Sequence, residues 1–212
     1  MYFFISDLSK DRIILNLENS AHFWSMRLSL GEIVTACDQK GTIATIKATK
    51  IDKKCYTFEI LESFKTDVLC SKIIFQAQID KTYLDKLVEI LPLAQITELI
   101  IFSSDNSQIQ NINLERLDKI LTRSAEQCHI AYKPKITVSK LSLEQILEQE
   151  NPIVLEKSDQ KISKTKLNKV LVGPEGGWSD REKQLFLQNN SAICSLGNTI
   201  YPAWIVGYTA FS

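Results

Sequence analysis

The spacing of apolar positions changes near residue 69. Before it, short runs of β-branched and aromatic residues recur at 2–5, 12–16, 32–37, 42–51 and 56–61. Within 42–49 the order Thr-Ile-Ala-Thr-Ile-Lys-Ala-Thr partly alternates, as a strand with one buried face does. Short strands at such close spacing predict a small β-barrel, interrupted by one short helix at 21–28.

After residue 69 the runs at 71–77, 96–102, 136–139, 152–155, 169–172 and 192–196 predict buried strands. Helical segments separate them. Asp80 is placed to cap a helix that Pro92 ends near Leu91. Leu114, Leu117, Ile120 and Leu121 put an apolar stripe on a long helix that stops before Pro134. Ser142 with Gln145 makes a capping box for a helix at 143–149, and Ser179 with Glu182 makes another. This alternation predicts an α/β domain with a mainly parallel sheet covered on both faces. The division expected is a barrel over 1–68 and an α/β domain over 69–212. A polar, Lys- and Ser-rich connection without apolar period runs from Glu156 to Lys169.

Composition is that of an ordinary globular protein, 44% hydrophobic and 24% charged. The 25 basic residues are balanced by 25 acidic ones, which argues against a strongly electrostatic nucleic-acid binder but not against local basic groups. Two stretches qualify, Lys40 to Lys54 and Lys157 to Lys169, each with five lysines. No apolar run reaches the ~18 residues of a membrane span, so no membrane partner is expected. The first residues carry no basic region ahead of their apolar ones, so no signal peptide is expected and the chain reads as cytoplasmic. Five cysteines without a C-x-x-C spacing predict neither a disulfide framework nor a metal site.

The segment richest in chemistry is Lys169-Val-Leu-Val-Gly-Pro-Glu-Gly-Gly-Trp-Ser-Asp-Arg-Glu182, where an apolar strand runs into Gly173-Pro174-Glu175-Gly176-Gly177. Four of the seven glycines fall between Gly173 and Gly197. Glycine collects where φ must be positive or a ligand approaches the backbone closely. In open parallel sheets, loops at strand carboxyl ends are where ligands bind. The spacing is not that of a dinucleotide or phosphate loop, and no Lys-Ser or Lys-Thr follows the glycines.

The stretch Leu171-Val-Gly-Pro-Glu-Gly-Gly-Trp-Ser-Asp-Arg-Glu182 resembles the signature of the RsmE family, and Ser195-Leu-Gly-Asn-Thr-Ile200 fits that family's next ligand loop. His22-Phe-Trp-Ser-Met-Arg-Leu-Ser-Leu-Gly31 is similar to the start of its PUA-like RNA-binding barrel, and Ala125-Glu-Gln-Cys128 to a helix ending in a Glu-Gln pair. The resemblance implies a PUA-like barrel followed by a SPOUT domain, an α/β knot. It also implies methylation of a uridine N3 in small-subunit ribosomal RNA, with that RNA or the pre-assembled small subunit as partner, S-adenosylmethionine as cofactor, and a homodimer. Carried onto this chain, the cofactor residues are Leu171, Gly173, Pro174, Glu175, Gly176, Gly177, Leu196, Gly197 and Ile200. Glu175 is the catalytic candidate, and Arg27 and Lys40 are the RNA-binding candidates. No metal is implied.

The chain departs from the family pattern in a consistent direction. Asn106 stands where arginine is expected, Ile130 stands where another is, and the segment after Gly197 lacks a third. Pro202 and Gly207 weaken the final helix, so that helix is expected to be nearly absent and the knot incomplete. A second reading is therefore an RNA-binding module that has lost methyl transfer. A third is an unrelated enzyme that uses the glycine loop for a nucleotide phosphate.

Overall fold

The computed structural model describes residues 2–5, 7–9, 12–16, 28–52, 55–67, 70–108, 110–163 and 167–212. Arg27 and all but the last residue of the helix expected at 21–28 lie outside them. The chain divides into two compact units, Met1–Val68 with His129–Lys133, and Leu69–Cys128 with Pro134–Ser212.

The first unit is a curled, mixed sheet, a half-barrel, of β1 (Tyr2–Phe4), β2 (Arg12–Asn16), β3 (Ile33–Cys37), β4 (Thr42–Ile51) and β5 (Cys55–Lys65). Its order is β1-β3-β4-β5-β2, with β1 parallel to β3 and the other pairs antiparallel. The partial alternation in β4 becomes a buried row of Ala44, Ile46 and Ala48, packed with Phe3, Val34, Tyr56 and Phe58. Register shifts between β4 and β5 at Thr45/Ile46 and Ala48/Lys50 add local bend and twist, which is how a sheet this small curls over its own core.

The second unit holds β6 (Ile73–Ala77), β7 (Glu98–Phe102), β8 (Lys135–Val138), β9 (Ile153–Leu155), β10 (Lys169–Val172) and β11 (Ile193–Cys194). All pair in parallel, in the order β11-β9-β10-β6-β7-β8. The helices are α1 (Lys81–Ile90), α2 (Leu114–Gln127), α3 (Leu143–Glu150), α4 (Asp180–Gln188) and α5 (Ala203–Phe211). Side chains of one strand alternate between two cores, because the strand period is two. Ile74, Val170 and Val172 join the core formed with α1, α2 and α5, whereas Phe75, Leu171 and Val154 join that formed with α3 and α4. Both expected capping boxes form, Ser142 with Gln145 and Ser179 with Glu182.

The final helix corrects the sequence expectation. Propensity argues against it, but α5 runs nine residues. Pro202 occupies its N-cap, outside the hydrogen-bonded turns. Gly207 is where the helix meets β6: a Cβ there would lie 2.9 Å from Ile74 Cγ2. The glycine that lowers propensity is what allows the close approach, and burial against the sheet outweighs about 1 kcal/mol of propensity. No helix among the described residues is long and apolar enough to cross a membrane.

Candidate functional site

Strands β9, β10 and β11 are neighbours in the sheet, and a cavity of about 750 Å³ opens at their carboxyl ends. Its walls are the end of each strand and the chain after it, residues 155–159, 172–175, 177–178 and 194–201, with Ala203 and Val206 of α5 closing one side. This is the position at which open parallel sheets bind ligands.

The turn after β10 is built by close packing. The Gly177 N–H donates to Pro174 O at 3.0 Å, and Gly177 has a φ of +71°, a conformation that disfavours side chains. Trp178 is buried, stacks on Phe102 with ring centres 6.5 Å apart, and meets Phe186 edge-on at 5.1 Å. A Cβ on Gly173 would come within 2.9 Å of Trp178 Cε2, so glycine is what lets this turn lie on the indole. Buried Gln76 donates through Nε2 to Gly173 O at 3.2 Å. The Glu175 carboxylate accepts from the Asp80 N–H at 3.1 Å through Oε1, tying the turn to the start of α1.

The loop after β7 braces the same turn from the other side. Asn106 Nδ2 donates to Gly177 O at 3.0 Å, and the Asn106 Cβ would be 3.2 Å from a Cβ on Gly176. Where an arginine was expected, this chain therefore has a short amide that holds the glycine backbone. Asp105 accepts from Ser179 Oγ at 2.5 Å and from Arg181 at 3.1 and 2.9 Å, and Arg181 also donates to Glu144 at 2.8 Å. Glu182, fully buried, accepts from the N–H groups of Ser179 at 2.8 Å and Asp105 at 3.0 Å.

The Arg181 guanidinium, with the Ser179 hydroxyl, holds the Asp105 carboxyl below its ordinary range. A depressed carboxylate contributes stability above the unfolded-state value and loses it as the pH falls through the folded-state value. The stability difference between wild type and Asp105→Asn is thus expected to be constant near neutrality and to shrink below the ordinary carboxylate range. Urea unfolding of both proteins at about pH 7 and about pH 3 measures it. An equal difference at both values would rule the charge out.

The turn after β11 carries Gly197 at a φ of +108°. It is held by the polar connection after β9: Ser195 N–H donates to Gln160 O at 2.8 Å, Ile162 N–H to Ser195 O at 3.0 Å, and Ser158 Oγ to Ile193 O at 3.3 Å. That connection is a wall of the cavity, contributing Glu156, Lys157, Ser158 and Asp159. Its role was missed from sequence, although a long segment without its own apolar period is itself a sign of a binding loop.

Of the nine cofactor candidates, Gly173, Pro174, Glu175, Gly177, Leu196, Gly197 and Ile200 line the cavity, Ile200 as a lip that is 90% exposed. Leu171 is off the lining, in the core beside Trp178 and Phe186, and Gly176 faces Asn106. Lys40 is exposed in the first unit. Among the described lining residues Lys157 is the one cation, against Glu156, Asp159 and Glu175. That balance suits a cationic ligand and opposes a polyphosphate. Cys194 also lines the cavity, and burial pushes its thiol up, away from the thiolate form.

A family model described as RNA methyltransferase domain matches residues 68–201. The chain is 28% identical over 166 residues, 71% of its own length and 70% of the relative's, to ribosomal RNA small subunit methyltransferase E 1 of Borreliella burgdorferi. Among solved structures it resembles a probable rRNA-methyltransferase from Porphyromonas gingivalis, with TM-score 0.82, 19% identity, and coverage of 99% of this chain and 94% of the other. It equally resembles a ribosomal RNA small subunit methyltransferase E from Neisseria gonorrhoeae bound to S-adenosyl methionine, with TM-score 0.79, 19% identity, and the same 99% and 94% coverage. The extent of the family match, together with the Gly-Pro-Glu-Gly-Gly turn at the carboxyl end of β10, places the chain in the RNA methyltransferase domain family, of the RsmE type with a SPOUT fold.

Proposed function

We propose that this chain methylates the N3 position of a uridine in small-subunit ribosomal RNA, using S-adenosylmethionine. The observation that carries the reading is the cavity walled by glycine-turned backbone after three adjacent parallel strands, with an acidic lining. Gly173, Pro174, Glu175, Gly177, Leu196, Gly197 and Ile200 are the residues to hold the cofactor, chiefly through main-chain groups. When bound, the cofactor supplies an electrophilic methyl group on a sulfonium. The acidic lining favours that positive charge, and the fixed turns orient it, which is the larger part of catalysis when a reaction depends on alignment.

The uridine N3 carries a proton at neutral pH, so the protein must accept it or stabilise the anion. Glu175 is the group for this. Its Oε1 is fixed by the Asp80 N–H, and among the described residues Oε2 has no hydrogen-bond partner. Glu175→Gln keeps an oxygen for Asp80 but cannot take a proton. The expected result is a loss of about 100-fold or more in kcat with S-adenosylhomocysteine affinity within about twofold. Full activity in this variant would remove Glu175 from the reaction.

Lys40, with Arg27, is proposed to meet RNA from the first unit. A homodimer through α5 is also proposed. The helix has no charged residue, yet only Gly207 and Ala210 are fully buried, and a helix apolar all round requires cover. Sedimentation equilibrium tests it, and a monomer at assay concentration would discard it. A cytoplasmic location is proposed with that substrate, and fractionation of cells expressing the protein checks it. Purified small-subunit RNA incubated with labelled S-adenosylmethionine and this protein is expected to yield N3-methyluridine by mass spectrometry. Binding of RNA and S-adenosylhomocysteine without any label in the RNA would instead favour the module that has lost transfer.

A further inference from the structure

The ladder between β10 and β6 ends at the pair Val172 and Gln76. Beyond it the strands part. β10 passes into the glycine turn that walls the cavity, and β6 continues one residue more, with Ala77 in register with Phe102 of β7. The Gln76 side chain carries the connection past that last pair. Its Nε2 donates to Ala77 O at 3.1 Å and to Gly173 O at 3.2 Å, the carbonyls of the residues that follow the pair on either side. An amide nitrogen has two hydrogens, so both are used. The reverse orientation of the amide would set Oε1 against two carbonyl oxygens, so the network fixes which way it points.

The position does not otherwise suit a polar side chain. Gln76 is fully buried and shares a strand face with Ile74, because alternate residues point the same way. Its register partners, Val172 and Ile101, both belong to the apolar core formed with α1, α2 and α5. Oε1 is buried there with no hydrogen-bond partner among the described residues. An unpaired buried acceptor lowers stability, and an apolar side chain of similar length would carry none. Stability alone therefore does not account for glutamine here. What the amide does is hold Gly173 O, at the residue that also lies against the Trp178 indole, where a Cβ would come within 2.9 Å.

We propose that Gln76 is a positioning residue for the cofactor: it fixes the carbonyl at which the chain leaves β10, and so the conformation of the 173–177 turn that the ligand meets. The inference rests on the reading of the cavity as the S-adenosylmethionine site and adds to it a residue outside the lining. Without the amide the turn samples other conformations and the binding-competent fraction falls. Apparent affinity drops by that fraction, and saturating ligand restores the competent turn.

The test compares three full-length proteins by calorimetry with S-adenosylhomocysteine and by urea unfolding. They are wild type, Gln76→Met, which keeps the length but removes the donors and the unpaired acceptor, and Ile74→Val, which trims the same face of β6 without touching Gly173. Gln76→Met is expected to bind S-adenosylhomocysteine about tenfold more weakly, the result of a competent fraction of about one tenth. Its urea midpoint should be no lower than that of Ile74→Val. Ile74→Val is expected to unfold at less urea than wild type, as a core truncation does, yet to bind within about twofold of it. In methyl transfer, Gln76→Met should raise KM for S-adenosylmethionine about tenfold with kcat within about twofold, because saturation refills the competent state. The calorimetry decides by itself if wild type transfers no methyl. Wild-type affinity in Gln76→Met, an equal affinity loss in Ile74→Val, or a Gln76→Met chain that does not fold would overturn the assignment and leave the cofactor site standing. Wild type that does not bind S-adenosylhomocysteine would take down both.

Discussion

Gly197→Val is expected to abolish most of the cofactor affinity while leaving the fold in place. A Cβ at this position meets nothing within 4 Å, so steric collision is not the cause. The cause is the φ of +108°, which β-branched residues essentially never adopt. Holding valine there costs about 1–3 kcal/mol or more, so the turn after β11 relaxes to another conformation and that wall of the cavity moves. Affinity should fall by about 10- to 100-fold, at ~1.4 kcal/mol per factor of ten. Thermal unfolding with and without S-adenosylhomocysteine measures this. The variant should unfold within a few degrees of wild type but show little ligand-induced shift. A full shift in the variant would mean that this turn does not form the binding wall.

Glu182→Ala should be the most damaging single change to the second unit outside its apolar core. The carboxylate is fully buried and accepts from two backbone N–H groups, those of Ser179 and Asp105. Alanine strands both donors, at about 1–3 kcal/mol for each buried group left unpaired, and removes half of the capping box of α4. A loss of about 3 kcal/mol is expected, read as a lower urea midpoint at an unchanged slope. The effect should reach the cavity. Once Asp105 is released, the loop that carries Asn106 no longer holds Gly177 O, and S-adenosylhomocysteine affinity should drop with stability. Glu182→Gln keeps one acceptor and should fall between. Wild-type stability in Glu182→Ala would contradict the hydrogen-bond arrangement itself.

Elements whose determinants are local could be read from sequence. Ser142 with Gln145 and Ser179 with Glu182 lie three residues apart, and both close as capping boxes. The glycine turn was legible because strand, glycines and capped helix follow one another without a break. What stayed hidden depends on partners distant in the chain. Asn106 looked like a lost arginine, but its contact with Gly177 is 71 residues away. The stretch after α2 read as a continuing helix, yet the helix ends at Gln127, His129 takes a φ of +54°, and the next residues join the other unit. For α5, propensity pointed one way and packing of Gly207 against Ile74 the other, and packing prevailed. The connection after β9 carried no period to read because its partners are the backbone around Ser195.

Isothermal titration of the wild-type chain with S-adenosylhomocysteine tests the central claim most directly, with ATP as the comparison ligand. The account predicts one saturable site per chain for S-adenosylhomocysteine and none for ATP, whose phosphates the acidic lining repels. No saturable heat with S-adenosylhomocysteine, or equal binding of ATP, would contradict it.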